Sequence, residues 1–379
     1  MATLEDLVED MARLTDAPCT LEDPDFRLIA FSDHRADDVV DPIRQRSILQ
    51  RRSDEQVRAW FREHGIESSP GPLRVEGDAR LGIVGRLCVP ARHLDRVHGW
   101  FWLLDPDDRI PTETWPEATR IAEAAARLLG VAERRQSHRD ALFRELVEGG
   151  RRAARASADE LARAVGVRLD EAVTCVLVER PDLLDQVASR PARAGVAWFR
   201  SPDVAEGVVR AGLLEGCDDL DAVLTALGVG RRVAGLDAAT RVAVGPTVEG
   251  IDELATSHRG AQVALRVARA RGSGEVVRWS DLGPLTLLGL GRDDDLREAV
   301  LDTGLSHLLA AAPDDVLATV RIWLEEAGSA SRTAERLSVH RQTVYHRLDH
   351  AARLGGLDLS RGADRLRLHL ALELAPFLD

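Results

Sequence analysis

The sequence predicts a multidomain α+β protein whose C-terminal part is all-helical. Its 379 residues exceed the size of one ordinary domain and are enough for two or three. Hydrophobic residues make up 45% of the chain, so each part can form a packed core. Strand-like and helix-like patterns alternate up to about residue 290, and only helical spacing follows. Two mixed domains followed by an all-α domain are therefore expected.

The first domain is predicted to span residues 1–135. Its elements are expected to be a helix, a β-hairpin, a charged helical segment, two further strands and a closing helix, at residues 4–14, 19–32, 45–66, 81–90, 96–104 and from 116. Pro24 and Asp25 supply the turn of the hairpin. This order of elements resembles the GAF-like and PAS-like domains that sense small molecules.

The closing helix is predicted to continue as a helical connector over residues 136–154. Apolar residues recur near heptad spacing at Ile121, Ala125, Leu128, Ala132, Leu142 and Leu146. Such a seam suits helix pairing across a homodimer, and it equally suits one amphipathic helix that packs on its own domain. Gly130 within this helix costs about 1 kcal/mol of helix stability relative to alanine.

A second α/β domain is predicted over residues 155–290. Its helices are expected at 158–166, 181–189, 219–228 and 251–271, and its strands at 172–180, 194–200, 207–216, 240–248 and 275–282. The segment RVAVGPTVEGIDELATSHRGAQVALRVARA, residues 241–270, resembles the GGDEF-like domain. Active diguanylate cyclases need a GG(D/E)EF hairpin, whose acids bind metal and whose glycines bind nucleotide. The hairpin here reads PDVAE at 202–206, without those glycines or paired acids, so the resemblance implies a catalytically inactive domain.

The chain contains fifty arginines and no lysine. Its net charge is −13. Without lysine it can hold neither a P-loop nor a Schiff-base site nor a protein-kinase site. The four cysteines lie far apart with no CxxC pair, which indicates buried, reduced thiols. We therefore expect no metal site, no cofactor and no catalytic residue.

No stretch of the sequence approaches the roughly 20 apolar residues that span a bilayer. The N-terminal segment MATLEDLVEDMARLT is acidic and amphipathic, unlike a signal peptide. The sequence therefore predicts a soluble, cytoplasmic protein without a membrane partner.

Two short helices joined by a tight turn are predicted near the C-terminus. The first should run over residues 330–337, with Ser329 or Ser331 as its cap, and the second over 341–354. Apolar side chains at helical spacing should face the core at Val344, Leu348 and Ala351. This layout is that of a helix-turn-helix, whose second helix lies in the DNA major groove.

The polar residues of this helix pair suit contact with DNA. Arginine can bond a guanine edge through two hydrogen bonds, glutamine can do the same with adenine, and hydroxyls reach phosphates. The predicted DNA-binding residues are Ser329, Thr333, His340, Arg341, Gln342, Thr343, Tyr345, His346 and Arg347. Between residues 329 and 353 five arginines face two acids, and this net charge of +3 is typical of a phosphate-binding surface. An ordinary helical pair with a solvated, arginine-rich face is the alternative.

Residues 314–379 resemble the C-terminal DNA-binding domain of PucR/CdaR-type regulators. The matching segments are VLATVRIWLEEAGS, TAERLSVHRQTVYHRL, RLGGLDL and RLRLHLALEL. The VHRQTVYHRL segment is also similar to the Fis-type helix-turn-helix. Ser329 stands where the family usually carries asparagine, and serine caps a helix nearly as well. Residues 291–313, which precede this domain, are expected to form a linker or helix.

The resemblance implies a bacterial, sequence-specific transcription regulator that binds operator DNA as a homodimer or higher oligomer. It further implies an unknown small-molecule effector and control of catabolic genes, such as those of purine, sugar-diacid or amino-acid pathways. Two alternatives stay open. One is a nucleotide-signalling enzyme that uses the GGDEF-like domain, against which the missing signature argues. The other is a ligand-binding scaffold whose helix-turn-helix is vestigial.

Overall fold

The computed structural model describes residues 2–32, 42–50, 53–149, 151–180, 183, 194–217, 219–229, 240–272 and 276–378. The chain divides into two compact units, one formed mainly by residues 1–144 and the other mainly by residues from 145 onwards. The predicted helix at 181–189 lies outside the described residues, except for Leu183. None of the helices in the described part of the chain combines the length and the apolar composition that crossing a bilayer requires.

The first unit is built on an antiparallel sheet. Its helices are α1 (Leu4–Thr15), α2 (Pro42–Gln50), α3 (Glu55–Glu63) and α4 (Trp115–Glu148), and its strands are β1 (Cys19–Glu22), β2 (Leu28–Phe31), β3 (Leu73–Val75), β4 (Arg86–His93) and β5 (Arg96–Leu104). The strand order is β2-β1-β5-β4-β3, and every neighbouring pair is antiparallel. The predicted hairpin and the two later strands are confirmed, although the strand predicted at 81–90 begins five residues later, at Arg86. Strand β3 is an addition, because three residues are too few to show a period in the sequence.

Alternation along the strands divides the side chains between two cores. Phe101 of β5 belongs to a core formed with α1 and α4. Its neighbours Trp100 and Trp102 belong to the other core, together with Phe26 and Phe61. The ring centroids of Phe26 and Trp100 are 4.9 Å apart, and those of Phe61 and Trp102 are 4.3 Å apart. The resemblance of this unit to GAF-like or PAS-like sensors stays a prediction.

Helix α4 runs unbroken for 34 residues, through Gly130. Four of its alanines are fully buried in the core with α1: Ala118, Ala122, Ala125 and Ala126. Ile121 and Leu128 pack against the same core, whereas Ala132 is exposed. The first half of the apolar seam therefore packs inside the first unit. This is what the alternative of one amphipathic helix packed on its own domain predicts. Helix pairing across a dimer stays a prediction.

The second unit contains the other sheet. Its elements up to residue 278 are α5 (Arg151–Val165), β6 (Val173–Val178), β7 (Val196–Arg200), β8 (Ala205–Arg210), α6 (Leu220–Ala226), β9 (Val242–Val248), α7 (Leu254–Arg271) and β10 (Val276–Arg278). The strand order is β10-β9-β6-β8-β7, in which β9 and β10 are parallel and the other pairs antiparallel. The predicted order of elements is confirmed for the described residues. The predicted strand at 207–216 ends earlier, at Arg210, because turns occupy 211–216.

Helix α7 packs closely on the second sheet because two glycines leave room for it. A Cβ on Gly245 would stand 2.1 Å from the carbonyl oxygen of Ser257, and one on Gly260 would stand 2.3 Å from Cδ of Pro246. The Ser257 hydroxyl donates to the Pro246 carbonyl at 2.6 Å and accepts from the Cys175 amide at 2.8 Å. It thereby satisfies an amide at the point where the register of β6 and β9 shifts.

Six helices complete the second unit: α8 (Asp293–Val300), α9 (Thr303–Ala311), α10 (Asp314–Glu325), α11 (Ala330–Leu337), α12 (Arg341–Gly355) and α13 (Gly362–Leu374). Leu305 and Leu308 of α9 are buried in the same core as the helices that follow. Gly304 lies against α12, where an added Cβ would stand 2.4 Å from the carbonyl oxygen of Gly355. The stretch predicted as a linker or helix, 291–313, is thus helical over most of its length, and its second helix belongs to the C-terminal core. The predicted domain boundaries themselves stay predictions.

Arg266 of α7 connects the sheet domain with the C-terminal helices. Its guanidinium donates to the two carboxylate oxygens of Asp293 at 2.9 and 2.8 Å, and also to the carbonyl oxygen of Phe377. This hydrogen-bonded arginine lowers the pKa of the Asp293 carboxyl. The end of the chain is therefore held against α7 within the second unit.

Candidate nucleic-acid interface

Helices α11 and α12 form the pair that the sequence predicts, with the same first residues. The turn between them begins at Ser338, which adopts a left-handed conformation with φ of 55°. The amide of Ser338 donates to the carbonyl of Glu335 at 3.1 Å, and the next amide, of Val339, donates to that of Ala334 at 3.0 Å. A left-handed residue that closes a helix in this way turns the chain sharply. The helix-turn-helix layout follows from this turn.

The first helix of the pair is capped at Ser329 and not at Ser331. The hydroxyl of Ser329 accepts from the amide of Arg332 at 3.4 Å, and its carbonyl accepts the Thr333 hydroxyl at 2.8 Å. Thr333 is fully buried. The expectation that Thr333 contacts DNA is therefore wrong for this structure, because its side chain is enclosed and its hydroxyl donor is already used.

The second helix begins at His340, whose ring supplies the cap. Its Nδ1 accepts from the amide of Gln342 at 3.2 Å. The imidazole is therefore the tautomer with its proton on Nε2, which leaves one N–H donor for another partner. A polar ring thus starts the helix and keeps a hydrogen-bond donor at its tip.

The two faces of α12 differ in the way that its periodicity predicts. Val344, Leu348 and Ala351 are buried in the C-terminal core. The exposed side chains of the first two turns are His340, Arg341, Gln342, Tyr345 and His346. Thr343 lies between the two groups and is half-buried. These exposed residues form a continuous polar face, which we call the α12 face.

Arg347 does not belong to this exposed face. Its Nη2 lies 2.5 Å from a carboxylate oxygen of Asp315, and its Nη1 donates to the Thr319 hydroxyl at 3.1 Å. Its side chain keeps only 21% of its exposure. Arg347 is among the predicted DNA-binding residues, but its guanidinium is engaged within the domain, because α10 supplies two partners that the local pattern of α12 does not reveal.

Two further arginines of the basic strip are paired with acids at the end of α10. Arg332 donates to the carboxylate of Glu326 at 2.8 Å, and Arg336 lies 2.7 Å from a carboxylate oxygen of Glu325. The bonds from Arg332 and Arg336 lower the pKa of Glu326. Within the described part of the chain, Arg341 has no acidic partner. The net charge of +3 over residues 329–353 thus overstates the positive surface, since the neutralising acids precede residue 329.

The hairpin between β7 and β8 carries no arrangement of acids for nucleotide chemistry. The strands pair up to Arg200 and Ala205, so the loop reads SPDV. Glu206 on β8 is buried, and one of its carboxylate oxygens lies 3.0 Å from Nε2 of His258 on α7. Among the residues that the structure describes, no cluster of histidine, cysteine and acidic side chains is arranged to hold a metal ion.

The cysteines are all free thiols. Cys19, Cys88 and Cys175 are buried, as predicted, whereas Cys217 is only half-buried. Burial raises the pKa of the Cys88 and Cys175 thiols well above the ordinary value. These thiols therefore stay protonated and unreactive.

A small polar chamber lies in the first unit, on the sheet face opposite α1. Its lining residues are Thr20, Glu22, Arg44, Ser47, Arg86, Trp102 and Leu104. Its volume of about 10 Å³ is enough for one water molecule. Burial raises the pKa of the Glu22 carboxyl to about 7, against the opposing effects of Arg86 and of the Ser53 hydroxyl. The sequence gives no sign of this chamber, because its members come from β1, β4, β5 and α2.

Comparison with known protein families places these features in a class. Residues 316–374 match the PucR C-terminal helix-turn-helix domain, and residues 149–267 match the GGDEF-like domain. The chain therefore carries a PucR-type C-terminal domain behind a GGDEF-like domain. This combination confirms the predicted resemblance to PucR/CdaR-type regulators.

Individual relatives match shorter parts of the chain. It is 27% identical over 114 residues to the DNA-binding transcriptional activator AdeR of Bacillus subtilis (strain 168), covering 29% of this chain and 26% of that protein. It is 25% identical over 114 residues to the proline-responsive transcriptional activator PutR of the same organism, covering 29% and 28%. The match thus spans about a quarter of each of these relatives. A solved structure of a regulator of polyketide synthase expression from Bifidobacterium adolescentis covers 62% of this chain and 96% of its own, at 19% identity and a TM-score of 0.28.

Proposed function

We propose that this protein is a bacterial DNA-binding transcription regulator and that α12 enters the major groove of its operator. The proposal rests on the exposed α12 face, in which hydrogen-bonding side chains lie side by side over the first two turns of the helix. The PucR-type domain supports it, and so does the similarity to two transcriptional activators. Such a protein acts in the cytoplasm, where the chromosome lies.

Each exposed side chain has a role that its chemistry suits. Arg341 and Gln342, in the first turn, can each form two hydrogen bonds with a purine edge. His340 offers its Nε2–H to a base or a phosphate, and the hydroxyls of Tyr345 and Thr343 suit phosphates. The DNA-contacting set proposed here is Ser329, His340, Arg341, Gln342, Thr343, Tyr345 and His346. Thr333 and Arg347 are left out of this set, because their side chains are used inside the domain.

Two copies of α12 would read two half-sites of the operator. Helix-turn-helix dimers bind half-sites that are about one helical turn of DNA apart, or a multiple of it. We propose that the protein acts as a homodimer or higher homo-oligomer, and that a signal changes the spacing of its two α12 faces. Catabolic genes, as the family resemblance implies, are the proposed targets.

A salt titration tests the proposed function. The full-length protein is mixed with a duplex of scrambled sequence, and the association constant is followed as salt increases. On a scrambled duplex, which lacks the matching purine edge, Arg341 should bind a phosphate instead. Each phosphate contact adds about 0.9 to the slope of log K against log salt, so Arg341→Ala should lower the slope by about that amount. Arg13→Ala is the matched control, because Arg13 is an exposed, paired arginine of the first unit. A wild-type protein without salt-sensitive DNA binding would contradict the proposal.

The first unit is the proposed place of the effector input. The order of its elements, which resembles that of GAF-like and PAS-like sensors, supports this. The polar chamber has room for about one water molecule and is too small to hold a metabolite. A thermal-shift screen of small polar metabolites on the full-length protein tests the idea. A compound that stabilises the wild type should protect backbone amides of the first unit from hydrogen exchange, whereas protection confined to the second unit would contradict the idea.

The GGDEF-like domain is proposed to be structural or regulatory rather than enzymatic. Its hairpin lacks the glycines and paired acids, and its buried acid Glu206 is engaged with His258. The relatives named as transcriptional activators point in the same direction. Incubation of the protein with GTP and Mg²⁺ tests this, since formation of a cyclic dinucleotide would restore the alternative of a nucleotide-signalling enzyme.

A further inference from the structure

Arg347 connects the second helix of the pair to two points on α10. Asp315 and Thr319 lie one turn apart on α10, so both face the same way. The guanidinium reaches Asp315 through Nη2 at 2.5 Å and Thr319 through Nη1 at 3.1 Å. One planar side chain thus spans a full turn of the neighbouring helix.

The hydrogen bond between Arg347 and Thr319 is enclosed at Thr319, and its donor and acceptor are defined. Thr319 is fully buried, and its hydroxyl proton is donated to the Asp315 carbonyl at 2.6 Å. The hydroxyl can therefore only accept from Arg347, through a lone pair. This arrangement needs a donor with two N–H groups in a fixed fork, which arginine has and lysine does not.

Arg347 and Arg341 differ although both lie on α12 and both are arginines. Arg341 is exposed and has no acidic partner among the described residues, whereas Arg347 keeps 21% of its side-chain exposure and has two partners. A guanidinium that is bound to a carboxylate and a buried hydroxyl would have to leave both before it could bind a phosphate. Its two contacts instead tie α12 to α10.

We propose that Arg347 is a positioning residue, which holds the rotation of α12 against α10 through Asp315 and Thr319 and makes no contact with DNA. The proposal rests on the proposed DNA-binding function. If it holds, the rotation of α12 decides which side chains of the α12 face meet base edges. Arg347 and Asp315 then affect the sequence preference of DNA binding through the same contact. Neither residue makes a phosphate contact of its own.

The test uses the full-length protein with two DNA duplexes. One is selected by the wild type from a random-sequence pool, and the other is a scrambled version of it. The variants are Arg347→Met, which keeps the length without the charge, Asp315→Asn, which keeps the shape, and the double variant. Arg341→Ala serves as the contrasting variant. The salt slope is measured on the scrambled duplex, and the specificity is the ratio of the two affinities.

We expect Arg347→Met to leave the salt slope unchanged and to lower the specificity ratio about three- to tenfold. Asp315→Asn should lower the ratio similarly, and the double variant should show no further loss, because both substitutions break one unit. Arg341→Ala should lower the slope by about 0.9.

Two results would overturn the proposal. In the first, Arg347→Met lowers the slope as much as Arg341→Ala does, so that Arg347 contacts phosphate. In the second, Asp315→Asn keeps or raises the specificity ratio. Should Arg347→Met unfold the domain, Asp315→Asn alone still decides. A wild type without salt-dependent binding to either duplex would instead refute the proposed function.

Discussion

Gly130 of α4 lies against the imidazole of His98 on β5, so that a Cβ on this glycine would stand 3.1 Å from the ring carbon Cε1. His98 is buried, and its Nδ1 lies 3.4 Å from a carboxylate oxygen of Glu133 on the next turn of α4. A glycine in a helix interior is unfavourable by itself. Here the missing side chain allows the histidine of the sheet to sit between helix and strand.

Substituting Gly130 should show this contact directly. In an ordinary helix Gly130→Ala would stabilise the protein by about 1 kcal/mol. We expect no such gain in the wild type, because the new methyl group presses on His98. In a His98→Ala background the same change should raise the free energy of unfolding of the first unit by about 1 kcal/mol. Denaturant unfolding of the four proteins measures it, and an equal gain in both backgrounds would contradict the contact.

Glu22 should make the first unit less stable as the pH rises. Burial raises the pKa of its carboxyl to about 7 in the folded protein, above the ordinary 4.5. The folded state therefore keeps a proton that the unfolded state releases, and stability falls between about pH 4.5 and pH 7. Glu22→Gln, which resembles the protonated acid, should match the wild type near pH 4.5 and exceed it by roughly 3 kcal/mol above pH 7. A difference between the two proteins that does not change with pH would refute this.

His98 should give the opposite trend. Burial lowers the pKa of its imidazole below the ordinary 6.5, although Glu133 opposes the shift. The unfolded state then takes up a proton that the folded state resists, so stability is lost as the pH falls below about 6.5. His98→Gln should weaken this loss on acidification. Thermal melting of both proteins from pH 7.5 to 5.5 (about the range in which histidine titrates) provides the comparison, and parallel curves would exclude the effect.

The cap of α11 should depend on one of two neighbouring serines. Ser329 accepts the first-turn amide of Arg332, whereas Ser331 is an exposed residue inside the helix. Ser329→Ala should destabilise the C-terminal domain by about 1 kcal/mol. Ser331→Ala is the matched control and should be neutral or slightly stabilising, since alanine favours helix. Equal effects of the two substitutions in thermal melting would argue against the cap.

Helix α9 should be necessary for the C-terminal domain to fold. Leu305 and Leu308 are fully buried in its core, and each contributes roughly 1.5–3 kcal/mol through burial. A fragment of residues 301–379 should therefore melt cooperatively by circular dichroism. A fragment of residues 314–379, which begins at the boundary that the sequence predicts, should be largely unfolded. Equal melting temperatures would show that α9 is dispensable.

Local sequence patterns are sufficient for the elements of this protein that have a period. The apolar spacing of Val344, Leu348 and Ala351 predicts both the presence and the buried face of α12. The strand predicted at residues 96–104 is β5, and the two-residue period of a strand places Phe101 on one side of the sheet and its tryptophan neighbours on the other. Three-residue β3 has no period to detect, and the exact end of β8 depends on turns that follow it.

The sequence by itself determined the identity of the C-terminal helix-turn-helix domain, through a basic helix pair with a polar face. It also determined that the hairpin of the GGDEF-like domain lacks the signature of a cyclase. The tertiary structure alone decided which polar residues of the helix pair are available. Thr333 is enclosed, and Arg347 is bound by Asp315, which precedes it by 32 positions. Helical spacing shows only which way a residue points on its own helix. Its partners lie on other helices, and only the packing of those helices brings their charges and hydroxyls within hydrogen-bonding distance.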